Sequence, residues 1–151
     1  MSSLDLLSIG RVSVDLYAEQ PGVTMSDVTT FRKSIGGTAT NVAVATARYG
    51  HAVALATRVG DDQFGRYVAD ALRNTFNVDP RFVATHPTLK TPLAFAELDP
   101  PEDPTIIFYR EPAAPDMEIE TTPPLLDAVD TARILWIPAS RFAIGRSRTT
   151  V

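Results

Sequence analysis

The sequence predicts an α/β fold built on a mainly parallel β-sheet, and three observations support this. Short apolar runs at 4–9, 52–57 and 134–137 predict buried strands. Helical patterns lie between them: alanines are frequent over 38–49, and an apolar residue recurs at every fourth position in the middle of 63–76. Strands that alternate with helices at these lengths are typical of βαβ units, in which helices cover a parallel sheet.

The composition bounds the class of protein. The chain has 151 residues, of which 44% are hydrophobic and 21% charged, so a folded domain with its own core is expected. The net charge of -4 argues against a nucleic-acid partner, which needs a basic face. Without cysteine there is no disulfide framework and no thiolate metal site. The sequence shows neither a signal peptide nor a membrane span, so we expect no membrane partner and a cytoplasmic location.

Polar residues at the predicted helix starts indicate how the helices begin. Thr38 is the predicted N-cap of the first helix, and Asp61 or Asp62 that of the second. Two adjacent acids can bind a metal, but acids before a helix more simply cap it, so no metal site is predicted here. His51 and His86 are isolated in the sequence and are expected at the surface.

Two pairs of strand-like segments interrupt the alternation. Residues 12–17 alternate polar and apolar side chains, and 29–35 form a predicted return strand. The segments 92–98 and 105–110 are joined by the acidic, proline-rich turn at 99–104, which predicts an antiparallel hairpin off the main sheet. The remaining elements are a short strand at 81–85, an irregular connection over 111–124 and a helix over 125–133.

The stretch 36–60 carries the functional prediction. It opens with Gly36 and Gly37 at a predicted helix start, and Asn41 lies in the first turn of that helix. Glycines let the backbone approach a ligand closely, and the free amides at a helix N-terminus bind oxygen-rich groups. The stretch therefore predicts a site for a polyhydroxylated molecule.

The same stretch resembles the N-terminal signature of the ribokinase-like (PfkB) carbohydrate kinases. The signature positions are a glycine pair, small residues, an asparagine and two spaced glycines, which here are Gly36, Gly37, Ala39, Asn41, Ala43, Gly50 and Gly60. The resemblance covers roughly residues 4–138. It implies a ribokinase-like three-layer αβα sandwich, truncated to its N-terminal half, with a small β-sheet lid from strands near 12–35 and 92–110.

The resemblance also implies a substrate class. The segments SIGRVSVDLY and FYREPAAPD are most similar to family members that use ATP to phosphorylate a keto sugar acid. The implied substrate is 5-dehydro-2-deoxygluconate of inositol catabolism, with 2-keto-3-deoxygluconate or a ribokinase-type sugar as alternatives. A further alternative, from another class, is a non-catalytic sugar-acid-binding or interaction module.

Site residues follow from the matching positions. The resemblance implies substrate binding by Asp15, Gly36, Gly37, Asn41 and Arg110, with Arg58 and Phe108 as further candidates. The carboxylate of Asp15 can accept two sugar hydroxyls, and the planar fork of Arg110 suits a substrate carboxylate. Structural alternatives stay open for each: a solvated edge-strand acid, a helix-start asparagine, an exposed hairpin arginine, and a surface salt bridge of Arg58.

The sequence lacks the part that the family uses for phosphoryl transfer. The family's catalytic base lies in a Gly-Ala-Gly-Asp motif, and no such motif is found here. The resemblance implies ATP and Mg²⁺ for the complete enzyme, but no catalytic residue in this chain. We therefore expect residues 1–151 to be a sugar-binding half that is inactive alone. A homodimer is expected, either through the lid strands or through the sheet edge exposed at 134–138.

Overall fold

The computed structural model describes residues 4–139, which form two β-sheets with three α-helices. The strands are β1 (Leu6–Ile9), β2 (Ser13–Ala18), β3 (Phe31–Gly36), β4 (Val53–Gly60), β5 (Val83–His86), β6 (Leu93–Glu97), β7 (Thr105–Tyr109) and β8 (Ile134–Trp136). The helices are α1 (Thr38–Arg48), α2 (Gln63–Asn74) and α3 (Pro123–Thr131), and a 3-10 turn spans Pro115–Met117. Each predicted strand and helix is present.

The main sheet is parallel and is covered by helices on both faces. Its strand order is β5-β4-β1-β8. Alternate side chains of β1 point to opposite faces. Leu6 packs into a cluster with apolar residues of α1 and α2, whereas Leu7 and Ile9 pack with Leu125 and Ala128 of α3. These three layers confirm the predicted αβα arrangement. No helix within residues 4–139 has the length and apolar character needed to cross a bilayer.

The two strand pairs predicted off the main sheet join into a second sheet of order β3-β2-β6-β7. The join is a parallel pairing of β2 with β6, in which Val14 lies opposite Leu93. Because directly paired residues point to the same face, Ser34, Asp15, Ala94 and Phe108 form one row across this sheet.

The opposite face of the second sheet is anchored in the protein core. Val14 and Ile35 are buried in the cluster that includes α1 and α2, and Leu93 packs against it. The apolar anchor leaves the Asp15 row on the other face, where a ligand can approach. Hydrophobic burial of this face therefore holds the second sheet to the main body of the protein.

Asp62 is the acid that caps α2. Its Oδ1 accepts hydrogen bonds from Gly65 N and Thr91 Oγ1, both at 2.8 Å, and its Oδ2 accepts one from Thr91 N at 2.9 Å. Burial alone would raise the pKa of Asp62, but these hydrogen bonds hold that pKa below its ordinary value. In the described part of the chain no cluster of acids and histidines is suited to a metal ion.

The two histidines differ in their surroundings. His51 is exposed, as predicted. His86 is not a surface residue: its Nδ1 accepts hydrogen bonds from the backbone N–H of Leu89 at 3.0 Å and Thr88 at 3.2 Å, and its Nε2 lies 3.2 Å from Glu118. The ring therefore organises the loop that follows β5, which its isolation in the sequence did not indicate.

Replacing Asp62 tests the cap. We expect Asp62→Ala to lower the free energy of unfolding by about 1–2 kcal/mol, because two backbone donors and one hydroxyl lose their acceptor. The matched control is Asp61→Ala, whose 73% exposed side chain makes only a 3.8 Å ion pair with Arg66 and should change stability by less than about 0.5 kcal/mol.

Urea unfolding of both variants against pH completes this test. A folded pKa below the unfolded one stabilises the protein above the unfolded pKa and loses that effect as pH falls. The deficit of Asp62→Ala should therefore shrink in acid. Equal deficits in the two variants would show that Asp62 has no special role.

Candidate functional site

A diglycine corner links the second sheet to α1. Gly36 ends β3, and Gly37 is the N-cap of α1 with φ 102° and ψ 142°. The prediction of Thr38 as N-cap is wrong, because the carbonyl of Gly37 already accepts the first helical hydrogen bond, from Asn41 N at 2.8 Å. Within residues 4–139 no side chain caps this helix, so its first amides keep their capacity for an external acceptor.

Asp15 lies directly against this corner. A Cβ built on Gly36 would lie 2.5 Å from the carboxyl carbon of Asp15, so only glycine leaves room for the acid. Ser13 lies two residues before Asp15 on the same face of β2. Its hydroxyl donates a hydrogen bond to Asp15 Oδ1 at 2.6 Å. The structure thus brings together the acid and the glycine pair that the sequence places 21 positions apart.

The carboxyl of Asp15 is half-buried, and its surroundings act on its pKa in opposite directions. Burial raises the pKa of Asp15 above its ordinary value, while the hydrogen bond from Ser13, the positive charge of Arg11 and a hydrogen bond from Tyr17 act in the opposite direction. The group still ionises, but at a higher pH than an exposed aspartate. An ionised, partly desolvated carboxylate is a strong acceptor for hydroxyl groups.

Asn41 lies on the exposed side of the first turn of α1, whose buried side includes Ala39 and Thr40. Its side chain forms no hydrogen bond with any other residue between 4 and 139. The structural alternative for this asparagine therefore has no contact to support it. Its amide is at the same helix end as Gly37, although no contact joins it to Asp15.

Arg110 is engaged inside the protein. Its Nη2 donates to Asp116 Oδ2 at 3.0 Å, and the side chains of Arg110 and Asp116 are only 14% and 3% exposed. The pair ties the residue after β7 to the 3-10 turn that contains Asp116. The alternative of an exposed hairpin arginine is therefore wrong, and no sequence pattern indicated Asp116 as its partner.

Arg58 connects three segments of the main body. Its Nη1 donates to the carbonyl of Glu118 at 2.9 Å and to Glu120 Oε1 at 2.8 Å, and its Nε donates to the carbonyl of Thr85 at 3.2 Å. The salt bridge is present and its acid, Glu120, is 70% exposed, whereas the Arg58 side chain is only 11% exposed and so lies mostly beneath the surface. None of these contacts leads to Asp15 or to the pair Asp61 and Asp62.

Phe108, Arg11 and Tyr17 are further neighbours of Asp15, and burial together with the charge and hydrogen bonding of Asp15 raises the pKa of Tyr17. Phe108 is 48% exposed on the same face as Asp15, and the guanidinium carbon of Arg11 lies 5.3 Å above the centre of its ring. The sequence prediction included Phe108 but missed Arg11. The only sequence signal for Arg11 was its place directly after Gly10 and four positions before Asp15.

Two clefts lie elsewhere and are not part of this site. One, of about 360 Å³, is lined by residues of the loops before β4 and β5, among them His51 and Asp79. The other, of about 340 Å³, lies between Val83 of β5 and Leu125 of α3. Neither cleft is lined by Asp15 or by the diglycine corner. The candidate site therefore lies apart from both, at the open face of the second sheet.

The fold and the site define an αβα protein in which a second, mixed sheet places Asp15 against the glycine pair that precedes α1. Residues 3–142 match the pfkB family of carbohydrate kinases, and the chain belongs to this family.

Two curated relatives are each more than twice as long as this chain. It is 34% identical over 149 residues to the 5-dehydro-2-deoxygluconokinase of Bacillus thuringiensis (strain Al Hakam), which covers 98% of this chain and 44% of the relative. The 5-dehydro-2-deoxygluconokinase of Geobacillus thermodenitrificans (strain NG80-2) gives the same identity and coverage. The chain therefore spans less than half the length of these relatives.

Solved structures agree with the fold. A sugar kinase from Pyrococcus horikoshii in complex with ATP superposes with a TM-score of 0.80 at 30% identity, over 96% of this chain and 46% of that one. Fructokinase from Xylella fastidiosa gives 0.77 at 29% identity, over 96% and 44%. The chain thus has the ribokinase-like α/β fold and covers about half of it, which confirms the predicted fold class.

Replacing Ser13 tests the electrostatics of the site without any ligand. We expect Ser13→Ala to raise the pKa of Asp15 further, because the hydrogen bond that favours its ionised form is lost. The matched control is Ser34→Ala, which lies opposite Asp15 on β3 and makes no bond to it. NMR titration of the Asp15 carboxyl carbon measures both; equal shifts in the two variants would contradict the assignment.

Proposed function

We propose that the whole protein is an ATP-dependent kinase that phosphorylates a hydroxyl of a keto sugar acid, and that this chain binds the sugar. The proposed substrate is 5-dehydro-2-deoxygluconate, and 2-keto-3-deoxygluconate is the alternative. Support comes from membership of the pfkB family and from the named function of the relatives at 34% identity. The observation that carries the proposal is the Asp15 carboxylate lying against Gly36.

Each part of the site has a binding task in this proposal. Asp15 accepts hydrogen bonds from sugar hydroxyls, and the first amides of α1 at Gly37 donate to sugar oxygens. Asn41 binds a further sugar hydroxyl, since its side-chain amide can both donate and accept a hydrogen bond. The second sheet serves as the lid over the sugar. Arg110 is the carboxylate partner implied by the sequence, with the guanidinium nitrogens that remain beside its bond to Asp116.

Phosphoryl transfer requires more than these residues. It needs a base near the acceptor hydroxyl and a bound Mg-ATP, which supplies the transferred phosphoryl group. The described residues do not fit that part: they contain no acidic cluster suited to a metal ion, and the sequence has no Gly-Ala-Gly-Asp motif. We assign ATP and Mg²⁺ to the part of the relatives that this chain does not cover, and assign no catalytic step to this chain.

Replacing Asp15 tests the sugar site. We expect Asp15→Asn to weaken binding of 2-keto-3-deoxygluconate by roughly 1.5–3 kcal/mol, the range for hydrogen bonds to charged groups. Because the pKa of Asp15 is raised, wild-type affinity should fall as pH drops through a value above the ordinary 3.8, whereas the variant should lack this fall.

Isothermal titration calorimetry at several pH values measures this, with exposed Asp61→Asn as the control that should match the wild type. Unchanged affinity in Asp15→Asn would refute the proposed pocket. Binding without phosphorylation, even after the missing half from a relative is added, would favour the non-catalytic module.

We also propose that this chain pairs with a second copy of itself through an edge strand. Edge strand β7 exposes Ile106 and Phe108, and edge strand β8 exposes Ile134 and Leu135. Edge strands with unpaired backbone groups and apolar side chains favour pairing with another chain. The lid edge at β7 and the main-sheet edge at β8 are the two candidate interfaces.

Light scattering of charge variants distinguishes the two edges. We expect a wild-type dimer that Ile106→Lys or Ile134→Lys converts to monomer, depending on which edge is used, because a lysine cannot be buried in an apolar interface. The variant at the unused edge is the control. A wild-type monomer at all accessible concentrations would contradict self-pairing.

A further inference from the structure

The backbone of Arg11 forms one wall of the diglycine corner. Its carbonyl accepts a hydrogen bond from Thr40 Oγ1 at 3.1 Å, and a Cβ built on Gly37 would lie 2.8 Å from its carbonyl carbon. Arg11 is therefore fixed between the start of α1 and the start of β2. A backbone that is fixed in this way restricts the directions in which the long side chain of Arg11 can extend.

The side chain of Arg11 reaches across the open face of the second sheet. Its guanidinium carbon lies 5.3 Å from the ring centre of Phe108. Phe108 is paired with Ala94, and Ala94 with Asp15, so the cation lies over the same face as the acid. Contact with an aromatic ring restricts the guanidinium plane, which lowers the entropy lost when it binds a ligand.

The charge of Arg11 remains available for a ligand. Unlike Arg58 and Arg110, Arg11 forms no ion pair with a carboxylate belonging to residues 4–139. It is only partly buried, and its charge lowers the pKa of nearby Asp15 without a direct bond. A cation close to an acid but not bonded to it can accept a second anion.

We propose that Arg11 binds the carboxylate of the sugar acid and sets the preference for acidic over neutral sugars. This rests on the proposed function. The planar fork of a guanidinium matches a carboxylate through two parallel hydrogen bonds, which a hydroxyl cannot offer. Asp15 takes the hydroxyl end of the ligand, and Arg11 takes the acid end. This assignment replaces Arg110, the carboxylate partner that the resemblance implies, and leaves Arg110 as a structural link to Asp116.

Calorimetry with one acidic and one neutral keto sugar tests the assignment on the 151-residue chain. The ligands are 2-keto-3-deoxygluconate and fructose. We expect Arg11→Gln to weaken binding of the acid by about tenfold or more and to leave fructose affinity within about twofold. Arg11→Lys should recover part of the loss, since it restores the charge without the fork.

The matched control is Arg48→Gln, because the guanidinium carbon of Arg48 also lies over an aromatic ring, 5.6 Å from the centre of Phe76, but at the last residue of α1. We expect it to leave the acid-to-neutral ratio of affinities unchanged, with circular dichroism confirming that each variant is folded. A change of that ratio in Arg110→Lys but not in Arg11→Gln would overturn the Arg11 assignment and leave the proposed function standing. Failure of the wild type to bind either sugar would remove both.

Discussion

The contact between the Asp15 carboxylate and the backbone of Gly36 is the constraint on which the site depends. A methyl group at Gly36 would occupy the space of the carboxyl carbon, so the missing side chain is what admits the acid. The antiparallel register of β2 and β3 places the two residues on one face. Because β3 runs directly into α1, the acid lies against the residue that precedes Gly37, the N-cap of the helix.

The second sheet is held to the main body at several points around that contact. Apolar burial of Val14 and Ile35 fixes β2 and β3, and Asp62 accepts hydrogen bonds from Thr91, two residues before β6. After β7, the bond between Arg110 and Asp116 returns the chain to the main sheet. Each charged hydrogen bond of this kind contributes about 1.5–3 kcal/mol, so together they limit how far the sheet can move from the site.

Much of the fold was predictable because it depends on local periodicity. The apolar runs and the stripe on α2 survive in the structure as buried faces, since the hydrophobic effect acts on them directly. Thr38 was misplaced as a cap because the positive φ of Gly37, set by the corner, overrides side-chain preference. The glycine and acid positions were found through the family signature. The partners of Arg110 and Arg11 were not, because ion pairs and ring contacts between distant segments leave no periodic pattern.

Charge balance decides which ligand this face can hold. A half-buried Asp15 and a ligand carboxylate about 5 Å apart would repel by about 3 kcal/mol at an effective dielectric of 20, enough to cancel one strong hydrogen bond. A guanidinium between them converts this repulsion into attraction on both sides. Arg110 is occupied by a buried acid, whereas Arg11 lies over Phe108 with its charge uncompensated by an ion pair inside the described chain. With a neutral sugar Arg11 would act only by favouring the ionised form of Asp15, whereas with an acidic ligand it also offsets this repulsion.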